Sequence, residues 1–425
     1  MTLLNRTTAA DFVPRRGSSI DAHTLARASD IIERVRAGRE LALLDIASSL
    51  GDLAPDAKAV YTREDLAAAE RLLPVADRDL LHRVANRIRA FAMTQRASLR
   101  DLDMPVLAGR AGHTIAPVDS AGCYAPGGRF PLPSSVLMTA VTARAAGVPR
   151  VVVASPRPTP ATLAAASIAG ADALLAIGGA QAVAALALGI LVPACDVIAG
   201  PGNRYVTAAK KLVAGEVGID MLAGPSELTI LADESADPAL VAADLLAQAE
   251  HDDDAVPILV TTSYPLADRV EAELESQLAS LPTAATARRA LANGAIVLAP
   301  SLESAANVCN AIAPEHLEVI VSDEARVVRG LRHYGAIFFG GLSAEVFGDY
   351  GVGPNHTLPT GGTARFSGGL SVFNFLRVRT WMKLDALEQT NAHDNVDQLI
   401  EDSIMLARIE GLEAHARAAE KRAAR

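Results

Sequence analysis

From Arg150 the chain repeats one pattern. A short uninterrupted apolar run is followed by a glycine or proline turn and then by a stretch with helical spacing. The runs are Val151–Ala154, Ala173–Ile177, Asp196–Ala199, Leu228–Leu231, Ile258–Thr261, Ile296–Leu298, Val319–Val321 and Ile337–Phe339. Strands that are apolar throughout have both faces covered, and strands alternating with helices form parallel sheets. The strands are too many for one simple unit. The pattern therefore predicts an α/β protein: two doubly wound, Rossmann-like parallel-sheet domains with small helical extensions at both ends.

Before Arg150 the spacing is helical. Ser29–Val35 starts on a capping-type residue, and Asp77–Gln95 places Leu80, Leu81, Val84, Ile88 and Phe91 on one side. The Ala-rich runs 161–173 and 283–295 also read as helices, and the chain from about Asp394 reads as an all-helical tail. No internal sequence repeat is visible. Residues 348–369, rich in Gly and Pro, are too long for a simple turn, and loops of that kind are usually functional. Ala173–Ala194 carries no charge, but Gly178-Gly179 and Gln181 interrupt it and Pro193 ends it. A strand, a glycine turn and a buried helix explain it better than a membrane span.

Composition narrows the class. With 425 residues, 50% hydrophobic and 21% charged, the chain is ordinary for a multidomain globular protein. A net charge of −10 lacks the footprint of a nucleic-acid binder. Cys123, Cys195 and Cys309 are odd in number and far apart, so they read as buried small hydrophobes in a reducing, cytoplasmic setting. The N-terminus shows no apolar run of the secretory type.

Four of the nine histidines stand beside carboxylates or amides. Asp237-Pro238 is a strong helix start, and the helix that follows runs through Gln248 to His251. Three residues apart, these two side chains share a face. An imidazole and an amide oxygen suit a metal, and a histidine near the negative end of a helix suits the same spacing. Asp252-Asp253-Asp254 beyond it reads as solvated. Asp349 and His356 flank a glycine-rich segment, where they are either ligands or a turn cap and an exposed ring. In Glu315-His316 the histidine suits a general base and the glutamate activation of water; a helix-start carboxylate and a structural histidine fit equally well. Glu410 and His415 are five apart on a tail helix and do not share a face, so only docking of that helix could bring both to one site. Neither Ile177-Gly178-Gly179-Ala180-Gln181 nor Ile198-Ala199-Gly200-Pro201-Gly202-Asn203 is a dinucleotide fingerprint, though each could offer amides to a phosphate.

Taken in order, these segments resemble the histidinol dehydrogenase family. The likeness rests on Cys123-Tyr124-Ala125-Pro126-Gly127-Gly128, Gly178–Gln181, Gly200–Val206, Ala223-Gly224-Pro225-Ser226-Glu227, Gln248–His251, Ala313–Glu318, Gly348-Asp349-Tyr350, Gly353–Thr360 and Glu410–His415. It covers essentially the whole chain. It implies oxidation of L-histidinol to L-histidine in two steps with zinc and NAD. Gln248, His251, Asp349 and His415 would hold zinc, His316 would remove the hydroxyl proton, and Glu315 would activate water. Ser226, His356 and Glu410 would join the zinc ligands and His316 in holding substrate. Tyr124, Gln181 and Asn203 would line the NAD site. The resemblance also implies an intertwined homodimer whose tail completes the partner's site. Its domains would be an N-terminal extension at 1–20, a first α/β domain from 21–123 and 228–371, a second, NAD-side domain at 124–227, and a helical tail at 372–425.

The chain departs from the family pattern at Arg129–Pro133, at Gly368-Gly369 and over Arg377–Asp385. Dehydrogenases of the same fold act on other polar alcohols, including a sulfonated diol, and such a paralogue is the alternative. A zinc hydrolase would leave Tyr124, Gln181 and Asn203 idle, and a non-catalytic binding protein would leave Glu315-His316 without a task.

Overall fold

All eight apolar runs become strands. The structure, a computed structural model, describes residues 3–14, 20–54, 57–107, 109–127, 131–384 and 393–423. It divides into two units, Met1–Arg96 with Val118–Phe375 and Ala97–Pro117 with Leu376–Arg425. In chain order the strands are β1 (Asn5–Thr8), β2 (Val60–Thr62), β3 (Leu102–Val106), β4 (Gly109–Pro117), β5 (Ser120–Tyr124), β6 (Arg150–Ala154), β7 (Ala173–Leu175) and β8 (Val197–Ala199). They continue with β9 (Gly218–Ile219), β10 (Glu227–Ala232), β11 (Val256–Thr261), β12 (Ala295–Leu298), β13 (His316–Ile320), β14 (Ala336–Phe339) and β15 (Leu376–Leu384).

The larger unit holds two six-stranded sheets, ordered β2-β7-β6-β5-β8-β9 and β1-β12-β11-β10-β13-β14. Every pairing in them is parallel except β2 with β7. Apart from the early edge strands β1 and β2, each sheet starts near its middle, winds one way, then reverses. The reversal falls between β5 and β8 in the first sheet and between β10 and β13 in the second. The two sheets thus share a winding order that the sequence does not reveal as a repeat. Two layers of side chains explain the continuous apolar runs. Leu228, Ile230, Leu259 and Ile296 join one core, and Leu231, Val260, Val297, Leu317 and Val319 the core on the opposite face. The uncharged stretch from Ala173 is a strand, a turn and the buried helix Gly179–Leu188. Among the described residues no helix is long and apolar enough to cross a membrane.

Several boundaries differ from the expected ones. Residues 1–20 are not a separate extension, because β1 is an edge strand of the second sheet. Residues 21–123 do not belong with 228–371. The helix Ala22–Ser49 packs its Ala28, Ile32, Val35 and Leu43 against Val183, Ala209 and the first sheet, and β2 and β5 are strands of that sheet. That helix starts at Asp21, whose side chain accepts from Thr24 N–H, rather than at Ser29. On the helix Val75–Ala97 the buried face is Val84, Ala85, Ile88 and Ala92, while Leu80 and Phe91 are exposed. The segment 372–425 is not wholly helical, since it contains β15.

The smaller unit pairs β15, β4 and β3 into an antiparallel sheet. Gly112 is required there, because a Cβ would lie 1.9 Å from the Leu102 carbonyl oxygen. The helices His393–Ile409 and Glu413–Ala423 turn at Gly411 (φ 75°) and pack through Val396, Ile400 and Ala419.

One buried ion pair fixes the turn after β8. Lys210 Nζ donates to the Gly200 carbonyl at 3.0 Å and pairs with Asp220, whose Oδ2 accepts the Gly200 N–H at 2.8 Å. Both backbone polar groups of Gly200 are thereby held, at a residue with φ 126° whose Cβ would strike the Tyr124 carbonyl oxygen. Lys210→Met should destabilise the protein by about 3–5 kcal/mol, because it strands a buried carboxylate. Urea unfolding checks this. The double variant Lys210→Met/Asp220→Leu should recover part of the loss, and a loss below about 1 kcal/mol for the single variant would contradict the clamp.

Candidate active site

The reversal point of the second sheet places β10 beside β13, with Leu228 opposite His316. Their amino ends, not their carboxyl ends, carry the candidate catalytic groups. Ser226 immediately precedes β10. The backbone of Glu227 serves both predicted catalytic residues: its N–H donates to Glu315 Oε2 at 2.8 Å, and its carbonyl lies 3.2 Å from His316 Nδ1. A carbonyl can only accept, so Nδ1 carries the proton and Nε2 keeps its lone pair.

Around this pair the structure gathers three of the four predicted metal ligands. Asp237 and Pro238 start the helix Pro238–Ala249 as expected. Gln248 is buried in its last turn, and His251 lies just beyond its end with its side chain 42% exposed. Asp349 ends a short helix, Glu345–Asp349, which the glycine-rich sequence did not predict. His251 Nε2 is 3.5 Å from Asp349 Oδ2, and His316 Nε2 is 3.8 Å from Asp349 Oδ1. His356 is largely shielded rather than exposed, its side chain 12% accessible. Its Nδ1 donates to the Asp349 carbonyl at 2.9 Å, and its Nε2 lies 3.4 Å from Ser135 Oγ. Asn355 anchors this loop on the Met138 carbonyl and Thr142. Gly351 (φ 81°) permits the close approach, since a Cβ there would meet Val84 at 2.5 Å.

Glu345 was not anticipated. It lies four residues before Asp349, so one helix face presents both carboxylates. It is 4.0 Å from His251 Nε2 and 3.7 Å from His316 Nδ1. With the Gln248 amide oriented to satisfy both groups, its nitrogen donates to Glu345 Oε1 at 3.0 Å and Oε2 at 3.2 Å. Candidate ligand atoms of His251, Glu345 and Asp349 lie within 4.8 Å of one another. One imidazole nitrogen, carboxylate oxygens and a nearby carboxamide form a donor set of the kind zinc accepts. The run Asp252–Asp254 is not part of it; Asp253 pairs with Arg289 at the surface. Glu410 and His415 are exposed residues of the smaller unit.

Burial dominates the site's electrostatics. It pushes Glu315 and Glu345 well above the usual carboxylate range. It raises Glu318 and Asp244 as well, which share a hydrogen bond. Burial lowers His356, and lowers His316 to about 4. Burial also acts to raise Asp349, but the hydrogen bond from His251 and the neighbouring imidazoles hold it below its ordinary value. His251 is raised by that same partner.

The predicted nucleotide residues sit at the carboxyl ends of the first sheet, beside its reversal point, where ligands of doubly wound sheets bind. Tyr124 ends β5 and is buried, and its hydroxyl accepts the Gly179 N–H at 3.0 Å. Gln181 is buried, held by Asp52 at 2.9 Å, and its Oε1 has no partner. Asn203 is exposed and caps the helix Arg204–Val213 by accepting from Tyr205 and Val206. The adjoining departures Arg129 and Phe130 lie outside the described residues, as does Asp385. The cysteines are all buried and free.

A family profile of histidinol dehydrogenases matches residues 14–423. This chain belongs to that family. Histidinol dehydrogenase of Methylococcus capsulatus is 44% identical over 415 residues, covering 95% of this chain and 93% of the relative. That of Thermus thermophilus is 49% identical over 349 residues, covering 81% and 82%. A crystal structure of histidinol dehydrogenase from Elizabethkingia anophelis superposes with TM-score 0.91 at 29% identity, covering 99% of this chain and 98% of that one. Family membership makes the chain a dehydrogenase and bears out the α/β architecture.

Glu227, missed in the sequence, gives a direct test of burial. Its carboxyl is pushed from 4.5 up to about 7 by burial, against the pull of the Gly361 N–H. The folded state therefore holds a proton that the unfolded chain releases. The stability this proton contributes is complete below the unfolded value and is lost as pH rises towards 7. Glu227→Gln removes the titration and keeps the acceptor for Gly361. Relative to wild type, the variant should gain stability as pH rises from about 4.5 to 7 and then hold that gain. Urea midpoints at pH 5 and 8.5 check this; equal differences at the two pH values would contradict it.

Proposed function

We propose that this protein oxidises L-histidinol to L-histidine through L-histidinal, as a zinc- and NAD-dependent homodimer. The supporting observation is the convergence of Gln248, His251 and Asp349 on the Glu315-His316 pair. With His415 of a second copy they would make the four protein ligands of one zinc ion, which when bound would orient the amino alcohol and polarise its oxygen. Tyr124, Gln181 and Asn203 would hold NAD, which when bound would supply the hydride acceptor for each oxidation; the unpartnered Gln181 Oε1 is a free acceptor for such a ligand.

The chain's own residues supply the proton chemistry. His316 is neutral above about pH 4, and its Nδ1–H is committed to the Glu227 carbonyl. Nε2 is therefore free to take the hydroxyl proton of the alcohol and, later, of the aldehyde hydrate. Glu315, held by the Glu227 N–H, has its proton affinity raised by burial, and in its ionised form it is the base that takes a proton from water as it adds to the aldehyde. Ser226, His356 and, from the second copy, Glu410 would hold substrate together with the zinc ligands and His316.

The smaller unit supports the dimer. Met104, Val378 and Met382 on its sheet, and Met405, Leu406 and Ile409 on its tail helix, are exposed apolar side chains, as expected of a surface that a partner covers. Free buried thiols accord with a cytoplasmic location.

The assay is metal-loaded protein with L-histidinol and NAD, following NADH and histidine. About two NADH per histidine supports the reading. NADH with another polar alcohol but none with histidinol would replace it with the paralogous activity. His316→Ala should lower alcohol oxidation by about 10²–10⁴-fold. Glu315→Gln should mainly slow the oxidation of supplied aldehyde, and equal loss of both steps would contradict the division of roles.

A further inference from the structure

We propose that Glu345 is a positioning residue that turns the Gln248 carboxamide so that its oxygen, not its nitrogen, is offered to a divalent cation. This rests on the metal site proposed above and adds to it a residue outside the expected ligand set. A primary amide is symmetric in shape but not in chemistry: only its oxygen carries a lone pair fit for a metal. Something must therefore hold the nitrogen.

At Gln248 that partner is Glu345. Its two oxygens receive the amide nitrogen at 3.0 and 3.2 Å, and the reverse orientation would set the amide oxygen against a carboxylate. Gln248 is fully buried and Glu345 is 4% exposed, so water does not compete for either. Glu345 is itself placed by its own N–H, which donates to Glu318 Oε1 at 2.7 Å and sets the first turn of its helix. Asp349, on the same helix face, keeps the closer approach to His251, 3.5 Å against 4.0 Å. The two carboxylates thus divide the work. Asp349 faces the ion, and Glu345 orients a neighbour that does.

The test is zinc affinity of the full-length protein by competition with a chromophoric chelator, with the absorption spectrum of the cobalt(II)-substituted protein as a report on the ligand set. Gln248→Ala and Glu345→Leu should each weaken zinc binding by about 10–100-fold and alter the cobalt bands alike. Glu345→Gln keeps one acceptor oxygen and should lose less. In the double variant Gln248→Ala/Glu345→Leu the losses should not add, because both act through one ligand. Additive losses would make Glu345 a ligand in its own right and overturn the proposal, as would wild-type affinity in Glu345→Leu. Should Glu345→Leu not fold by circular dichroism, Glu345→Gln carries the test. A loss present in the wild-type background and absent in the Gln248→Ala background supports the proposal, and no loss overturns it. Wild-type protein that binds neither zinc nor cobalt would remove the underlying metal reading as well.

Discussion

Carboxylates that share a space without water repel one another, and the site depends on how that repulsion is met. Glu315, Glu345 and Asp349 lie close to His251, His316 and His356, Glu318 adjoins them through the Glu345 N–H, and most are shielded from solvent. Burial and mutual repulsion raise the proton affinity of Glu315 and Glu345, so their charge calls for a counter-charge, and the lowered His316 and His356 supply none. Asp349 is the exception, remaining ionised among imidazoles. A divalent cation is the natural complement of that arrangement, because one ion neutralises several buried groups at once and is bound the tighter for their lack of solvent.

The fold makes the crowding possible. Two sheets of the same winding order each present a reversal point, and the protein uses them differently. In the first sheet the expected nucleotide residues sit at the carboxyl ends, where glycine turns and helix starts expose backbone amides. In the second sheet the proposed catalytic residues lie at the amino ends of β10 and β13. Glu227, the first residue of β10, holds Glu315 with its N–H and His316 with its carbonyl. Parallel pairing fixes that geometry, so the spacing between the proposed base and the proposed water activator is set by the backbone rather than by flexible side chains.

Much of this was legible in the sequence. Continuous apolar runs gave eight strands, because burial on both faces leaves an unambiguous pattern. Asp237-Pro238 marked the helix carrying Gln248. What escaped has physical causes. β5, reading Ser-Ala-Gly-Cys-Tyr, is central but built of small residues, so no apolar run announces it. β1 and β2 are short edge strands, β15 pairs with β4 across a long separation, and β3, β4 and β15 have polar and exposed positions that look like loop. Glu345 was hidden because glycines around Asp349 suggested irregular backbone, whereas a single helical turn sets Glu345 and Asp349 on one face. Glu227 and Asp52 act through contacts distant in sequence, which local spacing does not encode.

The central claim is that this buried cluster exists to hold one divalent ion. Zinc content per chain, measured by mass spectrometry of metals after purification and exhaustive dialysis, tests it most directly. The account predicts about one zinc per chain in the wild-type protein and a small fraction of that in a folded Asp349→Ala variant. A wild-type protein that keeps no zinc, or an Asp349→Ala protein that keeps as much as wild type, would contradict it.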